Sequence, residues 1–119
     1  MNESKLVGRR VLVADDNATI ANAMARLLNA QGIEIVGPVG NVKRALTLIA
    51  ESEGIDGAIL DINLRGERAY PLVDLLRAKG VPIVFMTGDD QSSLEQGYGD
   101  VPFLRKPVSV ERLLQALFG

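Results

Sequence analysis

Short apolar runs alternate with segments of helical period along the chain, and this alternation limits the fold more than any other feature. Val11–Ala14, Ile33–Val36, Gly57–Leu60, Ile83–Met86 and Val101–Leu104 read as strands. Several are continuously apolar rather than alternating, as suits parallel strands buried on both faces. Between them run amphipathic stripes. Ile20, Met24, Leu27 and Leu28 follow polar Asn17 and Thr19 and stop before Gly32. Val42, Ala45, Leu46 and Ile49 stand behind Asn41 as an N-cap, and Ala69, Leu72, Val73 and Leu76 end at Gly80. Val110, Leu113, Leu114 and Leu117 follow Ser109, placed to cap the last helix.

Two stretches break the rhythm. Gly88–Asp100 has only Leu94 and Tyr98 as large apolar residues, so a short and poorly anchored helix is predicted there. Gly37-Pro38-Val39-Gly40 matches no phosphate-cradling glycine pattern and reads as a turn. Five strand–helix units in 119 residues leave roughly 24 residues for each, near the minimum for a right-handed crossover. The prediction is one α/β domain over residues 1–119. It is a flavodoxin-like (βα)5 three-layer sandwich whose parallel five-stranded sheet has the order 2-1-3-4-5.

Two absences narrow the chemistry. With no cysteine there is no thiol nucleophile, thiolate metal site or disulfide. With no histidine there is no imidazole base, His-ligated metal or phosphohistidine on this chain. A formal net charge of −2 provides no field for nucleic acid. The apolar runs are too short to cross a bilayer and the first residues are unlike a signal peptide, so a cytoplasmic protein is expected.

In sheets of this kind ligands bind beyond the carboxyl ends of the strands. The first run ends in Asp15-Asp16, the third in Asp61 followed by Ile62-Asn63, the fourth in Thr87-Gly88, and the fifth in Arg105-Lys106-Pro107. Three carboxylates, a hydroxyl and an ammonium therefore converge on one edge. Clustered carboxylates repel, and Lys106 or a hard divalent cation would relieve them. An oxygen-only donor set favours Mg2+, Mn2+ or Ca2+, with Mg2+ the best fit. Such a group suits a nucleophilic aspartate that accepts a phosphoryl group: Asp61 attacks, Asp15 and Asp16 hold the metal, and Thr87 and Lys106 face the phosphoryl oxygens. Each motif is ordinary by itself, since Asp15-Asp16-Asn17 is also how a helix starts. The weight lies in their conjunction.

The set Asp15-Asp16, Asp61, Thr87 and Lys106-Pro107 resembles the receiver domain of two-component response regulators, over Arg10 to Phe118. The resemblance implies that Asp61 takes its phosphoryl group from a phosphohistidine on a partner histidine kinase or phosphotransfer protein. It implies Mg2+ bound directly by Asp16, Asp61 and the Asn63 backbone carbonyl, with Asp15 acting through water, and a cis bond before Pro107. It makes Thr87 and Phe103 the two switch side chains, and Phe103, lacking a tyrosine hydroxyl, would act by packing alone. Phe85-Met86-Thr87-Gly88-Asp89 also resembles the Phe-Ala-Thr-Gly-Tyr strand of alphaproteobacterial single-domain receivers, departing at Met86 and Asp89.

The expectation is a stand-alone receiver that is not an enzyme beyond its own phosphorylation and slow dephosphorylation. It would be a monomer or weak homodimer whose output is contact with a downstream protein, without nucleic acid or membrane. Two other classes compete. One is an interaction module that keeps the fold and works without phosphorylation. The other is a phosphohydrolase resembling the haloacid dehalogenases, which would need a second Asp where Asn63 stands.

Overall fold

The computed structural model describes residues 6–88 and 94–119. Its elements are β1 (Arg10–Ala14), α1 (Ala18–Ala30), β2 (Glu34–Val39), α2 (Val42–Glu51), β3 (Gly57–Leu60), β4 (Asn63–Leu64), β5 (Glu67–Arg68), α3 (Tyr70–Ala78), β6 (Ile83–Thr87), β7 (Phe103–Arg105) and α4 (Val110–Phe118). Five strands form one parallel sheet in the order β2-β1-β3-β6-β7, while β4 and β5 make a separate antiparallel pair. The sheet is the predicted 2-1-3-4-5 topology, counted along its own strands.

Side-chain alternation along the strands builds two apolar layers. Val11, Val13, Ile59, Val84 and Met86 face α1 and α4, meeting Ala21, Met24, Leu28, Leu113 and Leu117. Leu12, Ala58, Leu60, Ile83 and Phe85 face α2 and α3, meeting Ala45, Ile49, Leu72, Val73 and Leu76. Because both faces are covered, β1, β3 and β6 could be written as unbroken apolar runs. Asn17, Asn41 and Ser109 cap α1, α2 and α4 through side-chain oxygens that accept from Ile20, Arg44 and Arg112 N–H. The end of α4 packs closely over Gly57, where an added Cβ would lie 3.1 Å from Phe118 and 3.2 Å from Leu117.

Three expectations need correction. Leu27 is 56% exposed, so the α1 stripe is Ile20, Ala21, Met24 and Leu28, with Ile20 partly buried. Gly37-Pro38-Val39 is not a turn but the end of β2, with a cis Gly37-Pro38 bond and a register irregularity against β1 between Leu12 and Ala14. An edge strand tolerates both proline and such irregularity. The third concerns Gly88–Asp100, of which residues 89–93 lie outside those described. Residues 94–100 contain no helix, and what holds them is not an apolar stripe.

Polar and aromatic contacts take the place of an aliphatic stripe there. Tyr98 stacks on Tyr70 at 4.3 Å between centroids, and its hydroxyl donates to Asp74 Oδ1 at 3.0 Å. Glu95 N–H donates to the Tyr70 hydroxyl at 3.0 Å. Arg77 donates to the Gly97 carbonyl at 3.2 Å and to Asp100 Oδ1 at 2.6 Å. The Asp74 hydrogen bond is the largest cause raising the Tyr98 hydroxyl above its usual pKa of 10.0. Tyr98 therefore remains a donor throughout the neutral range.

Ile59 is fully buried in the layer under α1 and α4. Ile59→Ala should cost about 2–5 kcal/mol, whereas Asn41→Ala, which removes only a cap, should cost about 1 kcal/mol. Urea unfolding should show both as shifts of midpoint at constant slope. A larger loss from the cap would contradict this packing.

Candidate functional site

The register of the sheet builds the site. Ala14 pairs with Leu60, Leu60 with Phe85, and Thr87 with Arg105. Beyond the last pairs, Asp61 N–H donates to the Ala14 carbonyl at 2.9 Å and Lys106 N–H to the Thr87 carbonyl at 2.8 Å. The residues that leave β1, β3, β6 and β7 thus emerge side by side. Among the described residues, the buried polar side chains are Asp15, Asp61 and Thr87, all three at this edge. Polar burial is costly unless compensated, and here it is confined to one place.

The compensation is Lys106. Its Nζ lies 2.7 Å from Asp15 Oδ2 and 2.9 Å from Asp61 Oδ2, and the Lys106-Pro107 bond is cis. Its hydrogen bond to Asp61 is well aligned, whereas it meets the buried Asp15 Oδ2 at a less favourable angle. Burial pulls the Lys106 pKa down, but the two carboxylates outweigh it and the net shift is upward from 10.5.

The other carboxylate atoms are held by backbone. Asp15 Oδ1 accepts from Asn17 N–H at 2.9 Å, and Asp61 Oδ1 accepts from Asn63 N–H at 3.3 Å. Asp16 is exposed, and its Oδ2 accepts from Arg65 N–H at 2.9 Å. Asn63 Oδ1 accepts from Gly66 N–H at 3.0 Å, closing the β4–β5 connection. That connection is two residues long, with φ of 55° at Arg65 and 86° at Gly66, the pair of positive angles of a type I′ turn. Arginine in that conformation costs about 1–2 kcal/mol relative to a residue suited to it.

All five candidate positions therefore meet at one edge, and Asn63 lies two residues beyond Asp61. Phe103 stands one layer below on β7, paired with Phe85 and half-buried against the α2–α3 side of the core. Asp89, named in the narrower strand resemblance, lies outside the described residues. The part of the site missed from sequence is the β4–β5 connection. Its signal was a glycine after Leu64-Arg65, too little beside strands of two residues.

A divalent cation fits these residues. One oxygen from each of Asp15, Asp16 and Asp61 lies within 4.8 Å of the others. Three carboxylates against one ammonium leave two formal negative charges unbalanced. The buried Asp15 Oδ2 lacks an aligned donor, and an oxygen-only set suits a hard ion.

The sequence model of the response regulator receiver domain family matches residues 11–118, and the chain belongs to that family. It is 33% identical over 115 residues to the transcriptional regulatory protein PdtaR of Mycobacterium tuberculosis, which covers 93% of this chain and 56% of PdtaR. The chain thus spans about half the length of that curated relative. It is similar to the solution structure of SdrG from Sphingomonas melonis Fr1, with a TM-score of 0.79, 34% identity, and coverage of 96% of this chain and 98% of that one. It is also similar to the crystal structure of a response regulator protein from Burkholderia pseudomallei with a phosphorylated aspartic acid, calcium ion and citrate. There the TM-score is 0.80 and the identity 25%, over 92% of this chain and 66% of that one. Receiver domains are signalling modules of two-component systems, and this family typically binds Mg2+ at its acidic residues. Among the described residues no helix is long and apolar enough to cross a membrane.

Two outcomes follow for the site. Mg2+ at a hundred times its dissociation constant should add about 2.7 kcal/mol to the unfolding free energy, and Asp16→Asn should remove most of that gain in thermal melts. A wild-type melt indifferent to Mg2+ would contradict the metal reading. Because the Lys106 pKa is raised, its stabilisation is fully present below the ordinary value of 10.5 and is lost as pH climbs through the higher folded value. The stability difference between wild type and Lys106→Met should stay flat through neutrality and shrink only in strong alkali.

Proposed function

We propose that this chain is a stand-alone phosphoacceptor, residues 1–119 forming one receiver domain that works in the cytoplasm. Asp61 is the acceptor, and the observation that carries this role is its placement: nearly buried, against Lys106, with two further carboxylates beside it. Lys106 occupies Asp61 Oδ2, so Oδ1, held among the described residues only by the long bond from Asn63, is the atom offered to phosphorus. In the transfer, Asp61 Oδ1 forms the new O–P bond. The P–N bond to the donor histidine breaks, its electron pair passes to the imidazole nitrogen, and that ring is then reprotonated from water.

Lys106 and the Thr87 hydroxyl stabilise charge on the equatorial phosphoryl oxygens. Asp15, Asp16, Asp61 and the Asn63 carbonyl would hold Mg2+, which supplies further neutralisation of that charge. Thr87 and Phe103 form the switch. The hydroxyl turns toward the phosphoryl group, and Phe103 refills the vacated space by packing.

The donor, as membership of the receiver family suggests, is a phosphohistidine of a histidine kinase or phosphotransfer protein, and this chain, which has no histidine, cannot itself carry that group. The output is contact with a downstream protein by a monomer or weak homodimer, without nucleic acid or membrane. Two likenesses support the reading. SdrG matches over 98% of its chain, and the Burkholderia structure holds a phosphorylated aspartic acid with a calcium ion.

Acetyl phosphate with Mg2+ should add one phosphoryl group, seen by intact mass, and Asp61→Asn should add none. Lys106→Met should slow the transfer by about 10²–10³, the effect of removing one charge-stabilising donor. Unmodified wild type under these conditions would overturn the proposal.

A further inference from the structure

We infer that Arg65 is a substrate-binding residue that receives the phosphoryl group of the donor, an inference that rests on the reading of Asp61 as acceptor. The starting observation is a mismatch between residue and backbone. The first position of a type I′ turn favours asparagine, aspartate or glycine, yet arginine stands there at φ 55°. The Arg65 N–H bond to Asp16 Oδ2 needs no side chain, so the backbone role of this position does not call for arginine.

The side chain has a place of its own. Arg65 lines a cavity of about 150 Å3 with Asp15, Asp16, Asn22, Pro38 and Gly40. A Cβ built on Gly40 would lie 3.9 Å from Arg65 Nε and 3.7 Å from both the Asp16 Cα and the Asp15 carbonyl oxygen. The missing Cβ at residue 40 leaves that space open between the guanidinium and the acidic pair. Among the described residues no carboxylate pairs with this guanidinium, whereas Lys106 is engaged by Asp15 and Asp61.

A phosphoryl donor reaches this edge as an anion and meets three carboxylates. A guanidinium at the mouth offsets that repulsion, and its planar fork matches phosphoryl oxygens. Arg65 therefore binds the dianionic phosphoryl moiety before transfer, taking no part in bond making. The same positive charge opposes entry of a metal cation.

The test is Arg65→Asn, which suits the turn and keeps the N–H to Asp16. Its melting temperature should equal or exceed that of wild type. The KM should rise about two- to fivefold, the value of a partly exposed charge contact, with little change in maximal rate. This should hold for both acetyl phosphate, with a P–O bond, and phosphoramidate, with a P–N bond. Mg2+ affinity measured by calorimetry without donor should tighten about twofold, and Arg65→Lys should recover part of both effects. An unchanged KM, an effect confined to one donor, or weakened Mg2+ binding would overturn the inference while leaving Asp61 as acceptor. Failure of wild type to take a phosphoryl group from either donor would instead defeat the acceptor reading, and this one with it.

Discussion

The ammonium of Lys106, 2.7 Å from Asp15 and 2.9 Å from Asp61, lets three carboxylates share the carboxyl edge of the sheet. It also ties β7, a strand of three residues, across β6 and β3 to the end of β1. One ammonium cannot neutralise three carboxylates, so the edge retains an excess of negative charge. That excess is chemically useful. On the proposed reading it would draw a hard cation and leave a carboxylate to act as the nucleophile, and the shortfall would vanish only when cation and site come together.

Much of this was legible in the sequence for a definite reason. Strands covered on both faces must be apolar throughout, so β1, β3 and β6 appear as runs, and the first polar residue after each marks where the chain leaves the sheet. Asp15, Asp61 and Thr87 are those residues, and the parallel register sets them abreast. The helices with strict stripes, α2 and α4, were equally plain. In α1 the edge of the stripe is not legible, because Leu27 sits at its margin and leucine does not declare which side it takes.

What stayed hidden depends on neighbours distant in sequence. Gly37-Pro38 belongs to a strand only because β2 is an edge. The β4–β5 pair is too short to show a period, yet it positions Arg65 and hence Asp16. Residues 94–100 show few aliphatic side chains, so their own pattern does not say what holds them. Their anchors are Tyr70, Asp74 and Arg77, which a local reading of that segment does not include.

That anchoring has a further consequence. A segment fixed by a ring stack and a few surface hydrogen bonds opens at a lower free energy than the aliphatic layers beneath it. None of its anchoring side chains is among the groups that hold Asp15, Asp61 or Lys106. The molecule thus carries a separately anchored segment beside the acidic edge. A lineage could recut the outline of residues 94–100 for a new partner while every atom of the acidic edge stayed where it is.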